Sequence, residues 1–269
     1  MRAELLSLCL LGCFVAGAAE QPAAPASPLP AVQVRAQRPL PPQKAEVALV
    51  FIGGFGDEIS GIVDSLSRRA PAAVFGVQDA LRAYYHWNGG VVEDATAGYR
   101  AIAEDVAAFR RANPQADVVL LGHSMGGAAA LQVATLLPEH EGTGRVFVVT
   151  LDPVDRIVQP VRPQGVSWWG NAYVVNSRSG HDFIAVVGGR WGHCEQADLN
   201  ICFDGRRTDE YGYHYIHDDA EALFTSAGGQ PAGALCAALA AQLQRKGAKS
   251  QADVAQKAQR PKANGSQGK

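Results

Sequence analysis

The feature that most constrains this chain is the stretch Asp117-Val-Val-Leu-Leu-Gly-His-Ser-Met-Gly-Gly-Ala-Ala-Ala-Leu131. Val118 to Leu121 is an apolar run short enough for a buried strand, and Ala128 to Leu137 is a run of helix formers stopped by Pro138. Between them, Gly122-His123-Ser124-Met125-Gly126 must turn sharply. Strand, tight turn with a serine at its tip, then helix is the setting in which G-x-S-x-G carries chemistry. The turn puts the serine backbone in a sparsely populated conformation, and the flanking glycines leave room for it. The hydroxyl then stands at the sheet edge over the first turn of a helix.

A serine hydroxyl becomes a nucleophile only when a base takes its proton. That base is an imidazole held in one tautomer by a carboxylate, and the oxyanion that develops needs two fixed N–H donors. The N–H of Met125 begins the helix after the serine and is one expected donor. The second is expected from Gly53-Gly54-Phe55, the loop after the first buried strand, with the Phe55 N–H as donor. The same glycines do not form G-x-G-x-x-G, so a dinucleotide site is not expected. Asp152, at the end of the strand after the serine helix, is the favoured carboxylate; Asp182, one strand later, is its rival. Of the seven histidines, His217 is the favoured base because it lies late in the chain in a polar segment, with His214 behind it. Cys194, Cys202, His214 and His217 supply metal-ligand types, but their spacing is not a usual zinc pattern, and no metal is expected.

The 269 residues, 47% hydrophobic, suffice for one large domain or two small ones. From Arg245 to Lys269 there are seven basic residues and one acidic; the remainder carries 17 basic against 25 acidic, a net −8. An acidic body argues against nucleic acid as the partner. Residues 1–19 read as a secretion signal: Arg2, an apolar core from Leu5 to Val15, and Ala16-Gly17-Ala18 before the cleavage point. Leu10-Leu11-Gly12-Cys13 is similar to a lipobox, so a membrane tether through Cys13 is a further expectation. The mature chain is expected outside the cytoplasm, as a periplasmic, membrane-anchored or extracellular protein. Disulfides persist there, and Cys194 with Cys202 is the expected pair.

Residues 20–44, rich in Pro and Ala, read as a semi-extended linker, and 245–269 as a disordered basic tail. Between them, Val47 to Ile52, Leu81 to Trp87, Val118 to Leu121, Arg145 to Leu151 and Ala172 to Asn176 read as strands, with Leu199 to Phe203 a further candidate. Ile59, Ile62, Val63 and Leu66 repeat at helical spacing, as do Tyr99, Ile102, Val106 and Phe109; later helices are expected over 218–224 and 231–244. The alternation predicts an α/β domain, a mostly parallel sheet with helices on both faces, whose ligand site lies beyond the carboxyl ends of the strands.

With Ser124 in its elbow, the glycine loop after Ile52 and the order Ser…Asp…His, residues 45–244 resemble the α/β-hydrolase family. Leu151-Asp152-Pro153-Val154-Asp155 is similar to the acid segment of chlorophyllase-like and platelet-activating-factor-acetylhydrolase-like branches; most of the family carries the acid one strand later, which keeps Asp182 open. Gly53-Gly54 stands where the family usually has His-Gly, a departure that removes a side chain often supporting that loop. The resemblance implies an exported serine hydrolase of the lipase or esterase kind, forming an acyl-enzyme on Ser124 that water activated by His217 then hydrolyses. It implies no cofactor, a small-molecule or lipid acyl substrate, and a near-minimal monomeric domain with residues 188–213 as a small insertion or lid. Trp168, Trp169 and Trp191 would serve as core or as pocket lining. The alternatives are a non-catalytic scaffold lipoprotein that keeps the fold, and an acyltransferase using the same serine.

Overall fold

The central strands are buried on both faces, and they alternate between two cores. Strand β2 (Val47–Phe55) sends Ala48, Val50 and Ile52 into one core and Val47, Leu49 and Phe51 into the other. Strands β4 (Asp117–His123) and β5 (Val146–Leu151) do the same, with Val118, Leu120 and Val148 on the first side and Val119, Leu121, Phe147 and Val149 on the second. Unbroken apolar runs of this kind are what parallel strands covered on both faces require. The computed structural model describes residues 36–38, 40, 44–70, 80–87, 92–138, 142–177, 182–229 and 233–245.

The remaining strands are β1 (Ala36–Arg38), β3 (Ala80–Trp87), β6 (Val166–Val175) and β7 (Leu199–Asp204). Among the described residues the strands form one sheet in the order β1-β3-β2-β4-β5-β6-β7. Only β1 runs antiparallel to its neighbour; β2 to β7 are parallel. Helices α3 (Val92–Ala112) and α4 (Met125–Leu136) cover the first face. The second is covered by α2 (Ile62–Arg69), α6 (Ala220–Thr225) and α7 (residues 235–245), through Val63, Leu66, Leu223, Phe224, Leu235, Leu239 and Leu243. Two short helices, α1 (Asp57–Ser60) and α5 (Asp182–Val187), follow the carboxyl ends of β2 and β6. The expected parallel sheet with helices on both faces is present, and among the described residues no helix is long and apolar enough to cross a membrane.

Several local expectations are corrected. The helix through Ile59 and Leu66 is two helices, parted by Gly61 at φ 63°, which leaves Ile59 exposed. Residues 188–213 are less a lid than part of the sheet: β7 lies inside them, paired parallel to β6. The strand expected at 172–176 starts at Val166 and carries Trp168 and Trp169 into opposite cores; Trp191 is buried in the same core as Trp169, so all three tryptophans take the packing role that the sequence favoured over pocket lining. The linker is shorter than 20–44, because Ala36–Arg38 pairs with β3 and Leu40 is buried, its N–H donating to the Tyr85 hydroxyl at 3.3 Å. No disulfide joins Cys194 to Cys202. Cys194 is a buried thiol that burial pushes up to about 12, and so a poor thiolate. The signal 1–19, Cys13, the tail beyond 245, His140 and His181 lie outside the described residues.

At the opposite end of the sheet, Arg145 holds three elements together. Its guanidinium pairs with Asp117, at 2.7 Å, and donates to the carbonyls of Gln242 and Leu243 at 2.8 and 2.9 Å, capping the exposed acceptors at the end of α7. Asp117 is buried, so losing this partner leaves a carboxylate poorly compensated. Arg145→Met should lower stability by about 2 kcal/mol, read by urea denaturation, with the loss falling as α7 detaches.

Candidate active site

The serine turn is made by close backbone approach. A Cβ on Gly122 would stand 1.9 Å from the Gly126 carbonyl oxygen, and one on Gly126 would stand 2.1 Å from that of Ile52. Only glycine fits at either place, so β4 can turn directly into α4 while α4 packs onto β2. Ser124 sits at the tip with φ 57° and ψ −130°, a strained conformation for a residue with a side chain. Two backbone bonds tie it to the neighbouring strand end: its N–H donates to Leu151 O at 3.0 Å, and its carbonyl accepts from Val154 N–H at 3.1 Å.

Those two bonds bracket Asp152, which is fully buried with φ 40°. Its Oδ1 accepts from the Val174 N–H at 3.0 Å, and its Oδ2 lies 2.6 Å from His217 Nδ1. His217 Nε2 lies 3.0 Å from Ser124 Oγ. A carboxylate only accepts, so Nδ1 carries the proton and Nε2 presents a lone pair to the serine hydroxyl. The arrangement can take a proton from Ser124 and stabilise the imidazolium that results. Three residues chosen from the sequence, Ser124, Asp152 and His217, are brought together. Asp182 is not on His217: it pairs with Arg190 and accepts from the Ser177 hydroxyl. His214 is exposed and bridges to Thr208.

The glycine loop approaches the elbow at Gly54. A Cβ there would stand 2.7 Å from Ser124 Cβ and 3.1 Å from Met125 N. Phe55 follows with its side chain exposed, and Met125 opens α4, where the first N–H groups of a helix have no intrahelical acceptor. A Cβ on Gly53 would stand 2.7 Å from Asp57 Cβ, and the Asp57 carboxylate accepts from Val63 N–H at 2.9 Å and from the Tyr84 hydroxyl. Among the described residues, no cluster of three or more His, Cys, Asp or Glu is placed to hold a metal ion.

Two contributors were missed. His123, which the sequence showed only as part of the turn, is buried; its Nε2–H donates to the His217 carbonyl at 2.7 Å, and the two rings lie 4.8 Å apart. Burial, with His217 adding to it, lowers His123 from 6.5 to about 4, so it is a neutral donor that anchors the base. Arg190 sits in the Gly-Gly-Arg-Trp-Gly-His-Cys loop, where no periodicity marks a role, yet its Nη2 lies 2.9 Å from Asp152 Oδ2.

A family model described as the alpha/beta hydrolase fold matches residues 67–141, which run from the end of α2 through the serine turn and α4. No curated protein matches the chain. Solved structures that resemble it include an uncharacterised protein from Capnocytophaga ochracea, with 13% identity, TM-score 0.36, 70% of this chain covered and 58% of that one. Two forms of an esterase from Pyrobaculum calidifontis resemble it at 14% and 13% identity and TM-scores of 0.37 and 0.35. They cover 79% and 76% of this chain, and 79% and 77% of theirs. The chain spans under two thirds of the first of these proteins.

The His123 anchor has a pH signature. The unfolded chain protonates this imidazole near 6.5, while the folded state keeps it neutral down to about 4, so the unfolded state binds more protons in that window. Stability from this group is complete above 6.5 and is lost as pH falls toward 4, by roughly 3 kcal/mol at most. His123→Phe should flatten that slope in denaturation curves taken from pH 4 to 7. At pH 7 it should cost about 1–2 kcal/mol for the orphaned His217 carbonyl.

Proposed function

We propose that this chain is an exported serine hydrolase that cleaves an ester-type acyl bond through an acyl-enzyme on Ser124. The observation that carries the proposal is the hydrogen-bonded series Ser124 Oγ, His217 and Asp152, standing beyond the carboxyl ends of β4 and β5. In this reading the Ser124 hydroxyl proton passes to His217 Nε2 as Oγ attacks the carbonyl carbon. The oxyanion is held by the N–H groups of Met125 and Phe55. Collapse breaks the bond to the alcohol, which leaves with the proton from His217. A water then gives a proton to His217 as it attacks the acyl carbon, and the bond to Ser124 Oγ breaks as His217 returns that proton to Oγ, releasing the acid.

An apolar acyl substrate fits the surroundings. Phe55 at the end of β2, Ile59 on α1, and Phe183 and Val186 on α5 after β6, are exposed large apolar side chains at the same end of the sheet as Ser124. Export rests on residues 1–19, with a lipid tether on Cys13 as its membrane-bound form.

A fluorophosphonate probe should label the wild-type chain on Ser124. Ser124→Ala should abolish labelling, and His217→Ala and Asp152→Asn should slow it at least about a hundredfold. Undiminished labelling of Ser124→Ala would defeat the proposal. Hydrolysis of a panel of acyl esters by the wild type then sets the preferred chain length. A second test addresses the glycine loop. Gly54→Ala should slow labelling at least about tenfold, because the added methyl meets the elbow backbone, with the fold retained by circular dichroism.

A further inference from the structure

A serine, an imidazole and one carboxylate suffice for the proton transfer, yet a cation sits on that carboxylate. Arg190 Nη2 lies 2.9 Å from Asp152 Oδ2, the oxygen that also lies 2.6 Å from His217 Nδ1. The Arg190 side chain is 13% exposed and that of Asp152 0%, so little water weakens the interaction. Alone, this pairing works against catalysis. It neutralises the charge meant to stabilise the imidazolium, and forming that imidazolium would place two cations on one oxygen.

Asp182 removes the conflict. Its carboxylate pairs with the same Arg190 nitrogen, and it too is nearly buried. With His217 neutral, Asp152, Asp182 and Arg190 sum to −1; with His217 protonated, the cluster is neutral. The backbone holds this arrangement in place. Arg190 N–H donates to Ala185 O at 2.9 Å, Trp191 N–H to Pro153 O at 2.8 Å, and Asp155 N–H to Gly189 O at 3.1 Å. The loop carrying Arg190 is thereby clasped along the segment that carries Asp152, while Asp182 opens α5 and is tied to Ser177 at the end of β6.

We propose that Arg190 and Asp182 are positioning residues for His217. Arg190 fixes the Asp152 carboxylate, and Asp182 restores the negative charge that lets His217 accept the Ser124 proton. The inference rests on the serine hydrolase reading above for its catalytic meaning, though the charge balance itself does not. The groups facing His217 are Asp152 on the β5 end, His123 on the β4 end, and Arg190 with Asp182 behind Asp152. Asp218 and Asp219 flank it on its own segment; Asp219 is engaged as the cap of α6, accepting from Ala222 N–H. His123 stays neutral and contributes no competing charge above about 4.

The test is the protonation midpoint of His217, followed by NMR of the 15N-histidine-labelled full chain. Wild type, Asp182→Asn, Arg190→Gln and the double variant are compared. Asp182→Asn should move the midpoint down by about one pH unit, Arg190→Gln should move it up by a similar amount, and the double variant should return close to wild type. Asp182→Glu should restore the wild-type value. Midpoints that stay put, or that move the same way in both single variants, overturn the proposal. If Arg190→Gln does not fold, the sign of the Asp182→Asn shift decides alone. The pH dependence of fluorophosphonate labelling gives the second readout: its acid limb should move with the NMR midpoint. Opposite NMR shifts in a chain that is never labelled would sink the hydrolase reading and keep the charge balance. Normal labelling with unmoved midpoints would sink only the charge balance.

Discussion

The site depends on two backbone hydrogen bonds that fasten the serine turn to the end of the adjacent strand. Ser124 N–H binds Leu151 O, and Ser124 O binds Val154 N–H. They fix the nucleophile and the buried Asp152 in one frame before any side chain is considered. Both residues have positive φ, a conformation that costs energy and persists only when the surroundings over-determine it. Here the surroundings are the middle of the sheet: β4 and β5, α4 packed on them, and glycines where backbones nearly touch.

Around that frame, Asp152 and His217 are each held by several partners. Asp152 accepts from Val174 N–H, His217 and Arg190, which accounts for a carboxylate with no solvent contact. His217 is held at both ends, by Asp152 on its ring and by His123 on its carbonyl. The segment carrying it is pinned on either side, by Tyr215 packed on Phe203 and by Asp219 capping α6. The base is therefore set in a rigid neighbourhood although it comes from a loop, which is what a proton transfer between fixed partners needs.

Much of this was legible in the residue order. Apolar runs at 47–52, 118–121 and 145–151 announced strands buried on both faces, because period and length leave few other structures open to them. Ser124 stood out through its glycines, and His217 through its late, polar setting. Asp152 stood ahead of Asp182 in the sequence without excluding it, because both follow strands of the same sheet. Asp182 is 30 residues closer to His217 in sequence, yet it meets Arg190 instead. The break at Gly61 and the β1 strand inside a Pro-rich stretch were hidden for a related reason. Each depends on a neighbour that local sequence does not name.

The sequence alone determined the chemistry available: a serine on a glycine-flanked turn between a strand and a helix, and an acidic body built as an alternating α/β domain. Local sterics and side-chain periodicity are written along the chain, so they can be read there. Which acid meets the imidazole, that a buried second histidine holds the base by its carbonyl, and that an arginine couples two carboxylates were decided only by tertiary structure. These are contacts between residues 38 to 94 positions apart, apart from the local Arg190–Asp182 pair. They exist because the parallel strands β2 to β7 carry their carboxyl ends to the same edge.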